Sequence, residues 1–217
     1  MDTIEIPTER GVVSASVHGE GKTVLALGHG AGGDRRTGLL LRLAKTLADG
    51  GRRVVLHNFP YTEARRRVPD KPAVLEATIA AVAAHAREAL GASRLVLGGK
   101  SMGGRIASQA VAQGLVAEGL VFLGYPLHPP GRFDALRDKH LPSITAPMLF
   151  VQGTRDAFAR PDLLATVLHG LGDRATLHSI EGGDHSFAVP RRTGRAPAQI
   201  EAEVASAIVS WLAARGL

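Results

Sequence analysis

Short apolar runs alternate along the chain with segments whose apolar residues recur every three or four positions. The runs predict strands, and TVLALGHG is apolar almost throughout, as expected of a strand buried on both faces. The further predicted strands are RRVVLHNF, RLVLGG, GLVFLGYP, PMLFVQG and ATLHSIEG. The helical spacing predicts helices over 36–49, 72–90, 102–113 and 162–171, and a last helix with the stripe Ile200, Val204, Ile208 and Trp211.

The order of these elements predicts the fold class. IEIP and VVSASVHG flank the turn residues TERG and predict an N-terminal β-hairpin. The later strands alternate with helices, which predicts an α/β fold with a mostly parallel, twisted sheet and helices on both faces. The chain has no internal repeat, low-complexity segment or linker, so we expect residues 1–217 to form a single domain.

Composition narrows the class of protein further. Hydrophobic residues make up 45% of the 217 positions, mean hydropathy is +0.06, and the absence of cysteine excludes disulfides and thiolate nucleophiles. The opening MDTIEIPTERG is polar and mixed in charge, unlike a signal or transit peptide. No apolar run approaches the roughly 20 residues that span a bilayer. We therefore expect a cytoplasmic protein without a membrane span.

The net charge of +6 and the sequence pI of about 10.3 raise the question of nucleic-acid binding. The arginines are scattered, however, and the one tight cluster is Arg65, Arg66 and Arg67. Aromatic residues are 4% of the chain, which leaves few platforms for stacked bases. A solvated basic surface explains the charge, and we expect no nucleic-acid partner.

The stretch LVLGGKSMGGR, residues 95–105, carries two signals that exclude each other. GGKS resembles the end of a phosphate-binding loop, which requires a glycine, four residues and then Gly-Lys-Ser. The position required to hold that first glycine is Arg94, and the intervening LVLG belongs to a predicted strand. The stretch also fits the Gly-x-Ser-x-Gly turn at Gly99–Gly103, which presents a nucleophilic serine. Spacing therefore favours Ser101 as a nucleophile.

GHGAGG upstream matches the dinucleotide pattern Gly-x-Gly-x-x-Gly at Gly28, Gly30 and Gly33. That fold also requires an acidic residue at the end of the next strand to hold the ribose. The end of the next strand reads His57-Asn58-Phe59 and has no carboxylate. We therefore expect no nicotinamide or flavin cofactor.

A serine nucleophile needs a base, and the base needs an acid that orients it. In this architecture the chain order is serine, acid, histidine. Asp156 follows the strand PMLFVQG and His185 follows ATLHSIEG, so both stand at the carboxyl ends of strands. Other acids are assigned different roles: Asp184 shapes the loop beside the histidine, and Asp162 is predicted to cap a helix.

An oxyanion intermediate requires hydrogen-bond donors. The Met102 amide follows the nucleophile directly and opens a helix whose N-terminal amides favour negative charge. Gly30, Ala31 and Gly32 allow the preceding loop to approach the substrate, and the Ala31 amide is the second predicted donor. We expect His29 to brace this loop by a hydrogen bond.

Taken together, GHGAGGD, GGKSMGGR, GYPLHPPG, FVQGTRDAF and IEGGDHSF resemble the α/β-hydrolase superfamily, in particular its small, cap-less members near the dienelactone hydrolases. The group includes testis-expressed hydrolase-like proteins and a hydrolase-like subunit of a histone acetyltransferase complex. The resemblance implies the α/β-hydrolase fold and a Ser-His-Asp triad without metal or organic cofactor. Dienelactone hydrolases use a cysteine nucleophile, which this chain lacks, so their lactone substrate is not carried over.

The resemblance also implies an open site, because the irregular segment 127–146 is too short for a helical cap. We expect a serine hydrolase that cleaves a carboxylic ester, thioester or lactone. Lys100 and Arg35, if they face the cleft, would favour an anionic group on the substrate, whereas simple surface charge is the alternative. A hydrolase-like interaction module with little activity is the alternative function.

Overall fold

The structure, a computed structural model that describes residues 2–217, contains eight strands in one sheet. The strands are β1 (Asp2–Thr8), β2 (Gly11–His18), β3 (Thr23–Gly28), β4 (Arg53–His57), β5 (Arg94–Lys100), β6 (Gly119–Leu123), β7 (Met148–Gly153) and β8 (Ala175–Ile180). The helices are α1 (Gly38–Asp49), α2 (Pro60–Glu63), α3 (Pro72–Glu88), α4 (Met102–Ala112), α5 (Pro161–Leu171) and α6 (Pro197–Ala214).

The sheet has the strand order β1-β2-β4-β3-β5-β6-β7-β8. β1 and β2 form an antiparallel hairpin, and β2 pairs antiparallel with β4. From β4 to β8 every neighbouring pair is parallel. The prediction of a mostly parallel α/β sheet with an N-terminal hairpin is therefore confirmed.

Helices cover both faces of the sheet, as predicted. One face packs against α1 and α6, where the stripe Ile200, Val204, Ile208 and Trp211 is buried together with leucines of α1. The other face packs against α3, α4 and α5, which contribute Leu75, Ile106 and Leu164 to its core. This double burial explains why the central strands are apolar almost throughout.

Two details of the helices differ from expectation. The one-turn helix α2 was not predicted, because four residues are too few to show a helical period. The prediction that Asp162 caps a helix is wrong, because α5 begins at Pro161 and Arg160 occupies the cap position. Asp162 is instead the second residue of the helix, and its carboxylate accepts from Nε of Arg160 at 2.7 Å.

The carboxyl ends of the parallel strands all reach the same edge of the sheet. The connections after β5, β7 and β8 carry Ser101, Asp156 and His185 there, although 84 and 29 residues separate the bonded partners along the chain. No helix within residues 2–217 is long and apolar enough to cross a membrane.

Candidate active site

Ser101 occupies a sharp turn between β5 and α4. Its backbone angles are φ 49° and ψ −112°, a region that non-glycine residues rarely adopt. Its amide donates to the Leu123 carbonyl at 3.1 Å, and its own carbonyl accepts the Arg105 amide at 3.1 Å. The turn is thus held from β6 on one side and from α4 on the other, which is the strained strand-to-helix geometry expected from the sequence.

Glycines around the turn allow α4 to pack directly on the end of β3. A Cβ atom on either Gly99 or Gly103 would collide with the Gly28 carbonyl oxygen, and Gly99 also has a φ of +141°. Gly104 is restricted too, because its Cβ would lie 2.8 Å from the Gly99 oxygen. The short Gly-x-Ser-x-Gly spacing therefore reflects the close approach of two backbones.

The structure brings the three predicted side chains into one hydrogen-bonded series. Nε2 of His185 lies 2.9 Å from the Ser101 hydroxyl oxygen, and its Nδ1 lies 2.7 Å from Oδ2 of Asp156. The Asp156 side chain is fully buried, whereas the His185 side chain is 23% exposed. The buried carboxylate holds the ring from below, and the serine faces the cleft.

Two residues that the sequence analysis missed hold Asp156 and His185 in place. The Gln152 side-chain amide donates to Oδ2 of Asp156 at 2.6 Å, and the Phe158 amide donates to Oδ1 at 2.8 Å. The Phe158 ring also packs against the His185 ring with centroids 4.4 Å apart. Gln152 lies four residues before Asp156, at the end of β7, and this closeness in sequence was the only sign of a contact between them. The direction of the Gln152 side chain depends on the turn between the two residues.

The predicted oxyanion donors, the amides of Met102 and Ala31, belong to residues that line the cleft at Ser101. Gly30, Ala31 and Met102 line the same cleft as the serine, and within residues 2–217 neither the Ala31 nor the Met102 amide has an acceptor. Gly32 lies elsewhere, because it lines a neighbouring groove with Tyr61 and the arginines 65–67. Two free amides beside a hydroxyl oxygen can stabilise a developing negative charge.

His29 and Asp184 have the supporting roles that the sequence suggested. The buried His29 ring contacts the Gly30 carbonyl at 2.9 Å and the Thr62 hydroxyl at 3.1 Å, and burial lowers the pKa of His29. Oδ1 of Asp184 accepts the amides of Ser186 and Ala188 at 2.8 and 2.9 Å. Asp184 therefore folds the loop that carries His185 and does not contact its ring.

Lys100 lines the cleft at Ser101, and most of its side chain is buried. Its Nζ has no hydrogen-bond partner within the described chain and lies 5.8 Å from the centre of the Phe187 ring. Burial lowers the pKa of Lys100 to about 8, and the charges of Asp156 and Asp184 oppose that shift. Simple surface charge is therefore the wrong interpretation of Lys100, because its ammonium is buried near the Phe187 ring and the charges of Asp156 and Asp184.

The cleft at Ser101 has a volume of about 610 Å³. Arg35 does not line it, because its Nε donates to the Ser14 hydroxyl at 3.1 Å and its amide to Asn58 at 2.7 Å. Arg105 and Arg137 line it instead, and neither was singled out in the sequence. The spacing of one helical turn between Ser101 and Arg105 could have indicated that Arg105 lies near the serine. Arg137 belongs to the irregular segment, where no spacing predicts the position of a side chain.

Comparison with known proteins identifies the family and the fold of this chain. The family described as the alpha/beta hydrolase domain matches residues 21–213. The chain is similar to XC6422 from Xanthomonas campestris, an α/β serine hydrolase without a lid. The two structures have a TM-score of 0.76 and 20% sequence identity, and the match covers 97% of this chain and 94% of that chain.

Two further solved structures share the fold. A dienelactone hydrolase from Anabaena variabilis has TM-score 0.77 and 18% identity, with 97% of this chain and 95% of that chain covered. Est1E from Butyrivibrio proteoclasticus has TM-score 0.74 and 13% identity, with 98% of this chain and 100% of that chain covered. At such low identities these likenesses establish the fold.

The mostly parallel sheet and the serine on a strand-to-helix turn define the class of protein as a hydrolase enzyme. Since the family match spans residues 21–213, the chain belongs to the α/β-hydrolase family. The expected resemblance to its small, dienelactone-hydrolase-like members is confirmed.

Proposed function

We propose that this protein is a serine hydrolase that cleaves an ester-like bond of a small molecule through an acyl-enzyme on Ser101. The observation that carries the proposal is the hydrogen-bonded series of Ser101, His185 and Asp156, which opens into the cleft. The bond cleaved would be a carboxylic ester, a thioester or a lactone, since all three share an acyl carbon that a serine can attack.

In the first half of the reaction, the Ser101 hydroxyl oxygen attacks the acyl carbon while Nε2 of His185 accepts the hydroxyl proton. The Asp156 carboxylate accepts the Nδ1–H of the ring, so Nε2 is free to act as the base. His185 then returns the proton to the leaving oxygen or sulfur as the acyl bond to it breaks. The acyl group remains on Ser101 as an ester.

In the second half, water loses a proton to Nε2 of His185 and attacks the acyl carbon, and Ser101 recovers the proton as the acid leaves. The amides of Met102 and Ala31 stabilise the oxyanion in both halves, with Gly30 leaving room for the substrate. The Lys100 ammonium lies near the charges of Asp156 and Asp184, which oppose the effect of burial on its pKa.

The proposal includes a single domain without a separate cap. The one eight-stranded sheet of residues 2–217 supports it, as does the lidless architecture stated for XC6422. The connection between β6 and β7 contains a single 3₁₀ turn, Leu141–Ser143, and no longer helix. Such an open site suits a small ester or an ester group on a larger molecule.

A fluorophosphonate probe tests the proposal, because it labels a serine only when a base activates the hydroxyl. We expect wild-type protein and Ser206→Ala to be labelled, and Ser101→Ala to remain unlabelled. Ser206 is an exposed serine of α6, so its variant is a matched control for the loss of a hydroxyl. Thermal unfolding of all three confirms that each is folded.

Failure of folded wild-type protein to react, or equal labelling of Ser101→Ala, would refute the hydrolase proposal and favour an interaction module. If the wild type is labelled, protein that has not been exposed to the probe is then assayed with short- and long-chain aryl esters, thioesters and lactones. The substrate with the highest kcat/KM identifies the bond type.

A further inference from the structure

Two guanidinium groups line the cleft beside Ser101. Arg105 follows the serine by one turn of α4, and its amide donates to the Ser101 carbonyl at 3.1 Å. Arg137 reaches the same cleft from the connection between β6 and β7. Both side chains are half-buried, so they belong to the wall of the cleft and not to the solvated basic surface.

Neither guanidinium is neutralised by a carboxylate. Within residues 2–217 no carboxylate oxygen lies within 4.0 Å of Arg105 or Arg137, whereas Arg87, Arg160 and Arg195 each have such a partner. Arg105 donates to the neutral Gln109 side chain at 3.2 Å, and Arg137 donates weakly to the Pro126 carbonyl at 3.4 Å. Most of their ten N–H donors remain available to a ligand.

The fold holds the two like charges in this position. The Arg137 amide donates to the Leu127 carbonyl at 2.8 Å, and its carbonyl accepts the hydroxyl of the buried Tyr125 at 2.7 Å. Burial, and then the charge of Arg137, lowers the pKa of Arg105. Two close cations in a partly desolvated wall repel each other, and an anion between them would relieve that repulsion.

Two acids near this wall, Asp70 and Glu76, have other hydrogen-bond partners. Asp70 lines the cleft and binds the Arg66 guanidinium through Oδ1 at 2.5 Å, whereas its Oδ2 is buried without a hydrogen-bond partner in the described chain. Glu76, whose charge reaches Arg105 from beyond ion-pair distance, accepts the Gln113 amide at 3.0 Å. Neither guanidinium therefore has a carboxylate at ion-pair distance within residues 2–217.

We propose that Arg105 and Arg137 bind a carboxylate group of the substrate, so that the preferred substrate is an ester that carries a second, anionic group. The inference rests on the proposed hydrolase function and names its substrate class. Guanidinium groups bind carboxylates by paired, charge-assisted hydrogen bonds, which fix both position and orientation. Arg105 is one helical turn from the nucleophile, so the anionic group lies a few bonds from the acyl carbon that Ser101 attacks.

Matched esters that differ in one charge test the proposal. Monomethyl succinate and dimethyl succinate compare an anionic with a neutral acyl part, and para-acetoxybenzoate and its methyl ester do the same for the alcohol part. We expect kcat/KM of the wild type to favour the anion in at least one pair, by about tenfold or more for a charge-assisted contact. The pair that shows the preference tells which side of the bond faces the arginines.

Variants then assign the preference to these residues. Arg137→Gln and Arg105→Gln should each reduce the anionic-to-neutral ratio of kcat/KM about tenfold or more, mainly through KM of the anion. Arg132→Gln is the matched control, because Arg132 is an exposed arginine in the same connection and does not line the cleft. Its ratio should equal that of the wild type.

Calorimetry on Ser101→Ala separates this proposal from the proposed function. Monomethyl succinate or para-acetoxybenzoate should bind the inactive variant at least tenfold more tightly than its neutral partner, and Arg137→Gln in that background should abolish the difference. Equal affinity for both partners in both pairs, or a preference that survives Arg137→Gln, would overturn the anion site. Selective binding with no hydrolysis or probe labelling would retain the site and refute the hydrolase.

Discussion

At the scale of single residues, Asp156 has the strongest support for the role of orienting acid. Its buried carboxylate accepts hydrogen bonds from the Gln152 side-chain amide and the Phe158 backbone amide, which fix its direction towards His185. Asp184, one residue before the histidine, uses its carboxylate to fold its own loop. Adjacency in sequence is therefore a poor guide to contact, because consecutive side chains leave the backbone in different directions.

Asp156→Asn should reduce kcat by about 10³- to 10⁴-fold, because an amide at this position favours the wrong tautomer of the histidine. Asp184→Asn should reduce kcat far less, since its amide oxygen can still accept the two loop amides. Steady-state hydrolysis of an aryl ester measures both. A larger loss in Asp184→Asn than in Asp156→Asn would transfer the orienting role to Asp184.

At the scale of elements, the site depends on how closely α4 approaches the end of β3. Gly103 lies in the first turn of α4, and a Cβ there would be 2.5 Å from the Gly28 carbonyl carbon and still nearer its oxygen. The amide of Met102, one residue earlier, would move with any adjustment of the helix. The element is therefore placed by contacts that only glycine permits.

Gly103→Ala should destabilise the protein by about 1–3 kcal/mol through overpacking and reduce turnover about a hundredfold by misplacing the turn. Gly170→Ala is the matched control, because Gly170 lies in α5 and the added methyl group would have no neighbouring atom within 4 Å. It should stabilise the protein by about 0.5–1 kcal/mol through helix propensity. Chemical denaturation and ester hydrolysis measure the two effects, and equal stability of the two variants would contradict the packing argument.

At the scale of the whole molecule, buried histidines make folding sensitive to acid. Burial lowers the pKa of His57 to about 4, and its Nε2 has no hydrogen-bond partner in the described chain. Burial also lowers the pKa of His18, His29 and His140. The unfolded chain therefore binds more protons than the folded protein in mildly acidic solution.

The free energy of unfolding should fall as pH decreases from 6.5 to 4, because the pKa of His57 is lower in the folded than in the unfolded state. One such histidine contributes a slope of up to about 1.4 kcal/mol per pH unit in that window. His57→Leu should reduce the slope by about that amount, as measured by urea denaturation across the range. An unchanged slope in His57→Leu would show that other groups cause the acid sensitivity.

Local sequence patterns were sufficient to predict the architecture and the order of the reactive residues. Hydrophobic period distinguishes strands from helices locally, and the carboxyl ends of parallel strands share one edge, so Ser101, Asp156 and His185 could be expected together before any distance was known. The glycine spacing around Ser101 also predicted the tight turn, because such a turn allows only small residues at neighbouring positions.

Which other side chains surround the serine depended on contacts between segments that are distant in sequence. It placed Gln152 against Asp156, turned Arg35 away, buried Lys100, and brought Arg137 beside Arg105. These contacts join segments distant in sequence, and Arg137 belongs to a segment without a repeating pattern. Side-chain direction there follows from packing and hydrogen bonds with other elements, which local hydrophobic period does not encode.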